Sequence, residues 1–208
     1  MKNAVIYIHG KGGNIDEAKH FETIFKDYDV IGFDYKSQYP FEAMEEFPEY
    51  LREIKKKYES IILIANSIGA YFAMLALDGE DIARAYLISP VVDMERLIRD
   101  MMMWANVSEK ELKNKKEVAT SFNETLSYDY LIYAHEHPLN WHVPTEILYG
   151  SKDHLTSYQT ISDFANRVGA KLMIMDNGEH YFHTAEQMAF LDNWLINSLN
   201  DVVEKGNK

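Results

Sequence analysis

Hydrophobic positions fall along this chain in two alternating patterns. Short runs rich in β-branched and aromatic residues occur at 3–8 (NAVIYI), 30–35 (VIGFDY), 61–64 (IILI), 83–92 (ARAYLISPVV), 145–150 (TEILYG) and 170–175 (AKLMIM). Continuous apolar runs of this length, bounded by turn residues, predict strands buried on both faces. Between them, apolar residues recur three and four apart: Ala18, Phe21, Ile24 and Phe25 in 16–26, and Met44, Phe47, Leu51, Ile54 and Tyr58 in 41–58. Residues 157–168 are also predicted helical, and 186–199 present Met188, Leu191, Leu195 and Leu199 along one stripe. Such stripes predict amphipathic helices, with Pro48 starting or kinking the second one. Strands alternating with helices predict an α/β fold with a largely parallel sheet covered on both faces.

One uncharged run, 60–77 (SIILIANSIGAYFAMLAL), joins the third strand to a helix-favouring block. Its length approaches that of a membrane span. However, Asn66, Ser67 and Gly69 sit at its centre, where a bilayer penalises polar groups and a strand-to-helix turn wants them. The expected element is therefore a tight corner carrying a serine. The residues two before and two after that serine must be small for strand and helix to close together, as Ala65 and Gly69 are.

Residues 93–143 break the alternation. Segments 94–104 (MERLIRDMMMW), 108–118 and 128–137 (YDYLIYAHEH) all read as more helical than strand-like, so 94–142 is predicted to be a helical insertion in an otherwise single domain spanning 1–208. Its methionines and aromatics either pack it onto the body or line an apolar pocket. Only the polar tail, 204–208, is expected to be disordered.

Composition narrows the function. Apolar and charged fractions of 47% and 26% are ordinary for a soluble protein, and 208 residues suffice for one sizeable core. The net charge of -12 disfavours nucleic acid or an anionic membrane as a partner. The absence of cysteine excludes disulfides, thiolate metal sites and a cysteine nucleophile. With the first strand starting near residue 3 there is no space for a signal peptide, so the expected location is the cytoplasm. Oligomeric state is not legible in this pattern.

The candidate chemistry lies at strand ends. After the first strand comes His9-Gly10-Lys11-Gly12-Gly13-Asn14, whose glycines let backbone N–H groups approach a ligand. Their spacing fits neither the dinucleotide fingerprint nor a nucleotide P-loop. A serine hydroxyl at the corner needs a base, which histidine supplies near neutrality, and the base needs a carboxylate to orient it. The histidines His135, His137, His142 and His154 form no convincing metal-ligand spacing, and no cofactor is expected.

The stretch Ala65-Asn66-Ser67-Ile68-Gly69 resembles the nucleophile elbow of the α/β-hydrolase family, usually Gly-x-Ser-x-Gly, with Ala65 in place of the first glycine. The His-Gly pair after the first strand is similar to that family's oxyanion loop. The resemblance implies a sheet order of 2-1-3-4-5-6, a cap after the fourth strand, Ser67 as nucleophile, and the N–H groups of Lys11 and Ile68 as oxyanion donors. It further implies Asp153 after the fifth strand as acid, with Asp93 as alternate, and His180 after the sixth as base, with His183 as alternate. The expected activity is cleavage of a small-molecule carboxylic ester through an acyl-enzyme. Alternatives are a thioester, amide or carbon–carbon substrate, or a non-catalytic binding protein on the same scaffold.

Overall fold

The computed structural model describes residues 2–206, with side chains through residue 200. Six strands form one parallel sheet: β1 (Lys2–Ile8), β2 (Asp29–Gly32), β3 (Tyr58–Asn66), β4 (Arg84–Ile88), β7 (Thr145–Gly150) and β8 (Lys171–Met175). Their spatial order is β2-β1-β3-β4-β7-β8, which in chain order of the sheet strands reads 2-1-3-4-5-6. The chain reverses its direction of travel across the sheet between β1 and β3, leaving a crevice at their carboxyl ends.

The helices are α1 (Pro40–Lys55), α2 (Ser67–Ala76), α3 (Met94–Trp104), α4 (Glu109–Lys115), α5 (Tyr128–Glu136), α6 (Tyr158–Val168) and α7 (Ala185–Gly206). Side chains alternate across each strand and so feed two cores. Ile61, Leu63 and Ala65 of β3 join Ile6 and Ile8 of β1 against α1, α2 and α6. Ile62 and Ile64 instead join Val5 and Tyr7 against Phe21, Leu191, Trp194 and Leu195, on the side covered by α7. A strand buried on both faces has no polar alternation, which is why the central runs read as continuously apolar.

Several expected boundaries shift. Residues 15–23 form a 3₁₀ helix (Ile15–Thr23) rather than an α-helix over 16–26, capped by the Asn14 side chain accepting from the Asp16 N–H. The second strand stops at Gly32, a position closed to any side chain because a Cβ there would meet the Ile15 carbonyl oxygen at 2.5 Å. Pro40 opens α1 while Pro48 lies within it, and Tyr58 belongs to β3.

The segment between β4 and β7 departs most. Besides α3, α4 and α5 it contains an antiparallel hairpin, β5 (Glu117–Ala119) and β6 (Thr125–Ser127), where only helix was expected. Strands of three residues are too short to show a period of two. Their turn is marked instead by Asn123, held at φ 62°. Of the tail, residues 204–206 continue α7, and 207–208 lie outside the described residues. Among the described residues, no helix is long and apolar enough to cross a membrane.

Candidate active site

The corner between β3 and α2 forces the Ser67 backbone to φ 50°, in the left-handed region that non-glycine residues avoid. Close packing imposes this geometry. A Cβ on Gly69 would stand 2.2 Å from the His9 carbonyl oxygen, so the start of α2 rests directly on the end of β1. Ala65 is fully buried beneath it. Ser67 and Ile68 thus open the first turn of α2, where backbone N–H groups have no intrahelical acceptor and the helix dipole is positive.

The other two groups arrive on loops that are themselves packed backbone to backbone. A side chain on Gly150, at the end of β7, would meet the Gly178 carbonyl oxygen at 2.4 Å. The N–H of Lys152 donates to that same oxygen at 2.8 Å, and the Asn177 N–H donates to Ser151 Oγ at 2.8 Å. This clasp carries Asp153 and His180 toward each other. Asp153 Oδ2 lies 2.7 Å from His180 Nδ1, and His180 Nε2 lies 2.8 Å from Ser67 Oγ. An ionised carboxylate only accepts, so the ring proton sits on Nδ1 and Nε2 is left to receive the Ser67 hydroxyl.

The Asp153 side chain is wholly buried and that of His180 is 12% exposed, so the pair is shielded while the serine side stays reachable. Asp153 Oδ1 also accepts from the N–H groups of Leu155 and Thr156 at 2.8 and 3.1 Å. One carboxylate therefore both caps its own loop and holds the imidazole.

The glycine loop after β1 passes beside the corner. A Cβ on Gly10 would lie 3.1 Å from that of Ser67. The Gly13 N–H donates to the Gly10 carbonyl at 3.1 Å, closing a turn with Gly12 at φ 77°. Beneath the turn, the Tyr7 hydroxyl donates to Glu17 at 2.5 Å. Burial, followed by Glu17, pushes the Tyr7 phenol well above the ordinary tyrosine range, which keeps it a donor. The Lys11 ammonium is engaged by the Glu124 carboxylate from the hairpin.

Lys11, Ser67 and Ile68 line one cavity of about 790 Å³. One wall is apolar, from Met94, Leu97, Ile98 and Met101 of α3 with Leu155. Aromatic residues Tyr35, Phe72, Trp104 and Phe122 line it elsewhere, and a polar stretch runs through Ser37, Gln38 and Asn123 to Thr125. This volume suits a small organic ligand.

The alternates are bonded to other partners. Asp93 accepts from the Arg96 N–H at 2.9 Å and caps α3. His183 Nδ1 donates to the Tyr181 carbonyl oxygen at 2.8 Å, and its ring stacks on Tyr181. His135 pairs with Glu95 and His142 with Asp78, His137 donates to the Tyr133 carbonyl, and His154 lines the cavity. Among the described residues, no group of three or more histidine, aspartate or glutamate side chains could hold a metal ion. Sequence reasoning missed Glu17 and Glu124: the spacing of Glu17 three residues after Asn14 is a capping-box signal that could have marked it, whereas Glu124 sits in an unrecognised hairpin 113 positions from Lys11 and no local signal marks it.

A six-stranded parallel sheet in this order, covered by helices on both faces, is the α/β-hydrolase fold. Solved structures agree over nearly the whole chain. Est1E from Butyrivibrio proteoclasticus superposes with a TM-score of 0.77 at 16% identity, covering 98% of this chain and 88% of that one. A second Est1E structure, with ferulic acid bound, gives 0.74 at 16% identity, over 98% and 90% of the two chains. Alpha/beta hydrolase domain-containing protein 10 from mouse gives 0.72 at 18% identity, over 97% and 90%. No family model and no curated protein matches the sequence.

Proposed function

We propose that this protein is a serine hydrolase that cleaves small carboxylic esters through an acyl-enzyme. The observation that carries the reading is the continuous relay from Ser67 Oγ through His180 to Asp153, with links of 2.8 and 2.7 Å. In this reaction Ser67 Oγ attacks the ester carbonyl carbon as its proton passes to His180 Nε2. The carbonyl oxygen, now an anion, is met by the N–H groups of Lys11 and Ile68. Removing one such donor typically costs about a hundredfold or more in rate.

The tetrahedral intermediate collapses by expelling the alkoxide, which leaves as the alcohol after taking the proton from His180. Water, deprotonated by the same imidazole, then attacks the acyl-serine and releases the carboxylic acid. Asp153 stays ionised throughout and stabilises the imidazolium. No cofactor enters any step.

Residues 94–142 serve as the cap in this reading. The α3 wall receives an apolar arm of the substrate, and the aromatic lining suits an arm with a flat ring. Est1E, with which this chain shares only its fold, binds ferulic acid, which has such an arm. The Lys11 ammonium is neutralised by Glu124, which disfavours an anionic substrate there.

Incubation with short-chain and aryl chromogenic esters, alongside a serine-directed fluorophosphonate, tests the proposal. Ester turnover with covalent labelling at Ser67 is expected. Labelling without ester turnover points to a thioester, amide or carbon–carbon bond instead. Absence of both labelling and turnover overturns the enzyme reading and leaves a binding protein.

A further inference from the structure

We infer that Glu124 is a positioning residue for the oxyanion loop, coupling the β5–β6 hairpin to the reacting centre through the Lys11 side chain. The inference rests on the serine-hydrolase reading above and goes beyond it by assigning a role to a residue 113 positions from its partner.

The loop it acts on is intrinsically loose. Gly10, Gly12 and Gly13 are three of its four residues, and a side chain on Gly12 would meet nothing within 4 Å. Glycine runs lose the most conformational freedom on ordering, so the Lys11 N–H needs external restraint to hold one direction. From below, the loop is held by the Gly13-to-Gly10 turn bond, and Glu17 takes the Asn14 N–H at 3.3 Å. Neither reaches Lys11 itself. The hold on that residue comes from above, through the ion pair between its ammonium and the Glu124 carboxylate.

Glu124 can act as an anchor because its own backbone is fixed. Its carbonyl accepts from both the N–H and the Oγ1 of Thr120 at 2.8 Å, while its N–H donates back to Thr120 Oγ1 at 3.0 Å. These bonds close the hairpin turn independently of the carboxylate. The same turn carries Phe122, whose ring meets that of Trp104 edge-on at 6.2 Å, and both rings line the cavity. Whatever orders the hairpin over a substrate thus also orders the Lys11 peptide. A donor preorganised toward the developing anion lowers the barrier without altering ground-state binding.

The pair is partly exposed, with side chains 63% and 34% accessible, so its removal loosens the donor without deleting it. Glu124→Ala is expected to lower kcat about three- to fivefold, the range an exposed ion pair supports. KM should stay put, while affinity for a trifluoromethyl ketone that mimics the oxyanion should fall by the same factor. Lys11→Met should reproduce this, and the double variant should lose no more than either single one, because both break one interaction. The paired exchange Lys11→Glu with Glu124→Lys should recover most of the loss.

Wild-type kcat and ketone affinity in Glu124→Ala overturn the inference, as do single losses that simply add. A loss of melting temperature with kcat intact assigns Glu124 a structural role only, which also overturns it. These outcomes leave ester turnover by the unaltered protein standing. Absence of that turnover and of fluorophosphonate labelling removes the parent reading and this one together.

Discussion

Ser67 Oγ stands 2.8 Å from Nε2 of His180, although 113 residues separate them along the chain. The serine is presented by the strand-to-helix corner after β3, the histidine by a loop clasped to the next strand but one. Neither element holds the other through side-chain packing alone. The register of β3, β4, β7 and β8 sets the distance between them, and the Gly150–Gly178 contact sets the final approach.

Ser67→Ala should remove ester turnover, with a fall on the order of 10⁴-fold or more, while the fold persists. The side chain lies at the cavity surface, where its Oγ meets His180 Nε2 at 2.8 Å. Initial rates with a chromogenic ester, paired with a thermal melt, check both halves. Turnover at the original rate would end the proposed mechanism.

Asp153→Asn is expected to slow turnover on the order of 10³- to 10⁴-fold, because an amide facing Nδ1 no longer selects the tautomer that leaves Nε2 free. Asp153→Ala should cost stability as well. It strips Leu155 and Thr156 of their acceptor in addition to breaking the His180 bond, a loss of about 1–3 kcal/mol. Urea unfolding of the two variants side by side separates the catalytic effect from the structural one.

Gly69→Ala should be far more damaging than its size suggests. The added methyl would stand 2.2 Å from the His9 carbonyl oxygen, inside any tolerable contact, so α2 or the end of β1 must move. Overpacking of this kind costs about 1–3 kcal/mol or more, and here it displaces the corner and the oxyanion loop together. Gly12→Ala meets no neighbour and carries only the strain of φ 77°, about 1–2 kcal/mol. Their melting temperatures should therefore fall in that order.

Tyr86 gives a pH signature away from the cavity. It is fully buried in the core beneath α7, its hydroxyl has no partner among the described residues, and burial pushes its phenol up to about 12. In the unfolded chain a tyrosine ionises near about 10. A folded value above the unfolded one means the contribution is intact below about pH 10 and is lost as pH rises toward 12. Tyr86→Phe should hold or slightly raise stability at neutral pH, since it deletes an unpaired buried hydroxyl. It should also make the alkaline decline in melting temperature shallower. An unchanged alkaline slope would show that Tyr86 does not take part in it.

The local sequence determined most of the fold. Six apolar runs became six parallel strands, because residues buried on both faces must be apolar throughout and such runs stand out in any window. Residues 94–104 became α3 with the predicted bounds, since its stripe of Met94, Leu97, Ile98 and Met101 repeats at helical spacing. The roles expected of Lys11, Ser67, Asp153 and His180 came from the resemblance of the strand-end motifs to the α/β-hydrolase family rather than from periodicity; a parallel sheet puts all its carboxyl ends on one side, where such motifs can meet.

Tertiary structure alone decided the rest. The β5–β6 hairpin is too short to impose a period of its own and forms where Asn123 turns the chain above the cavity. The Glu124 contact to Lys11 and the Glu17 contact to Tyr7 depend on where separate elements come to lie, which no spacing within either element encodes. The clasp of Gly150 on Gly178 is a backbone approach that a sequence records only as two glycines. Periodic burial leaves a trace in every turn of chain, whereas a single contact between distant loops leaves none until the sheet has set their separation.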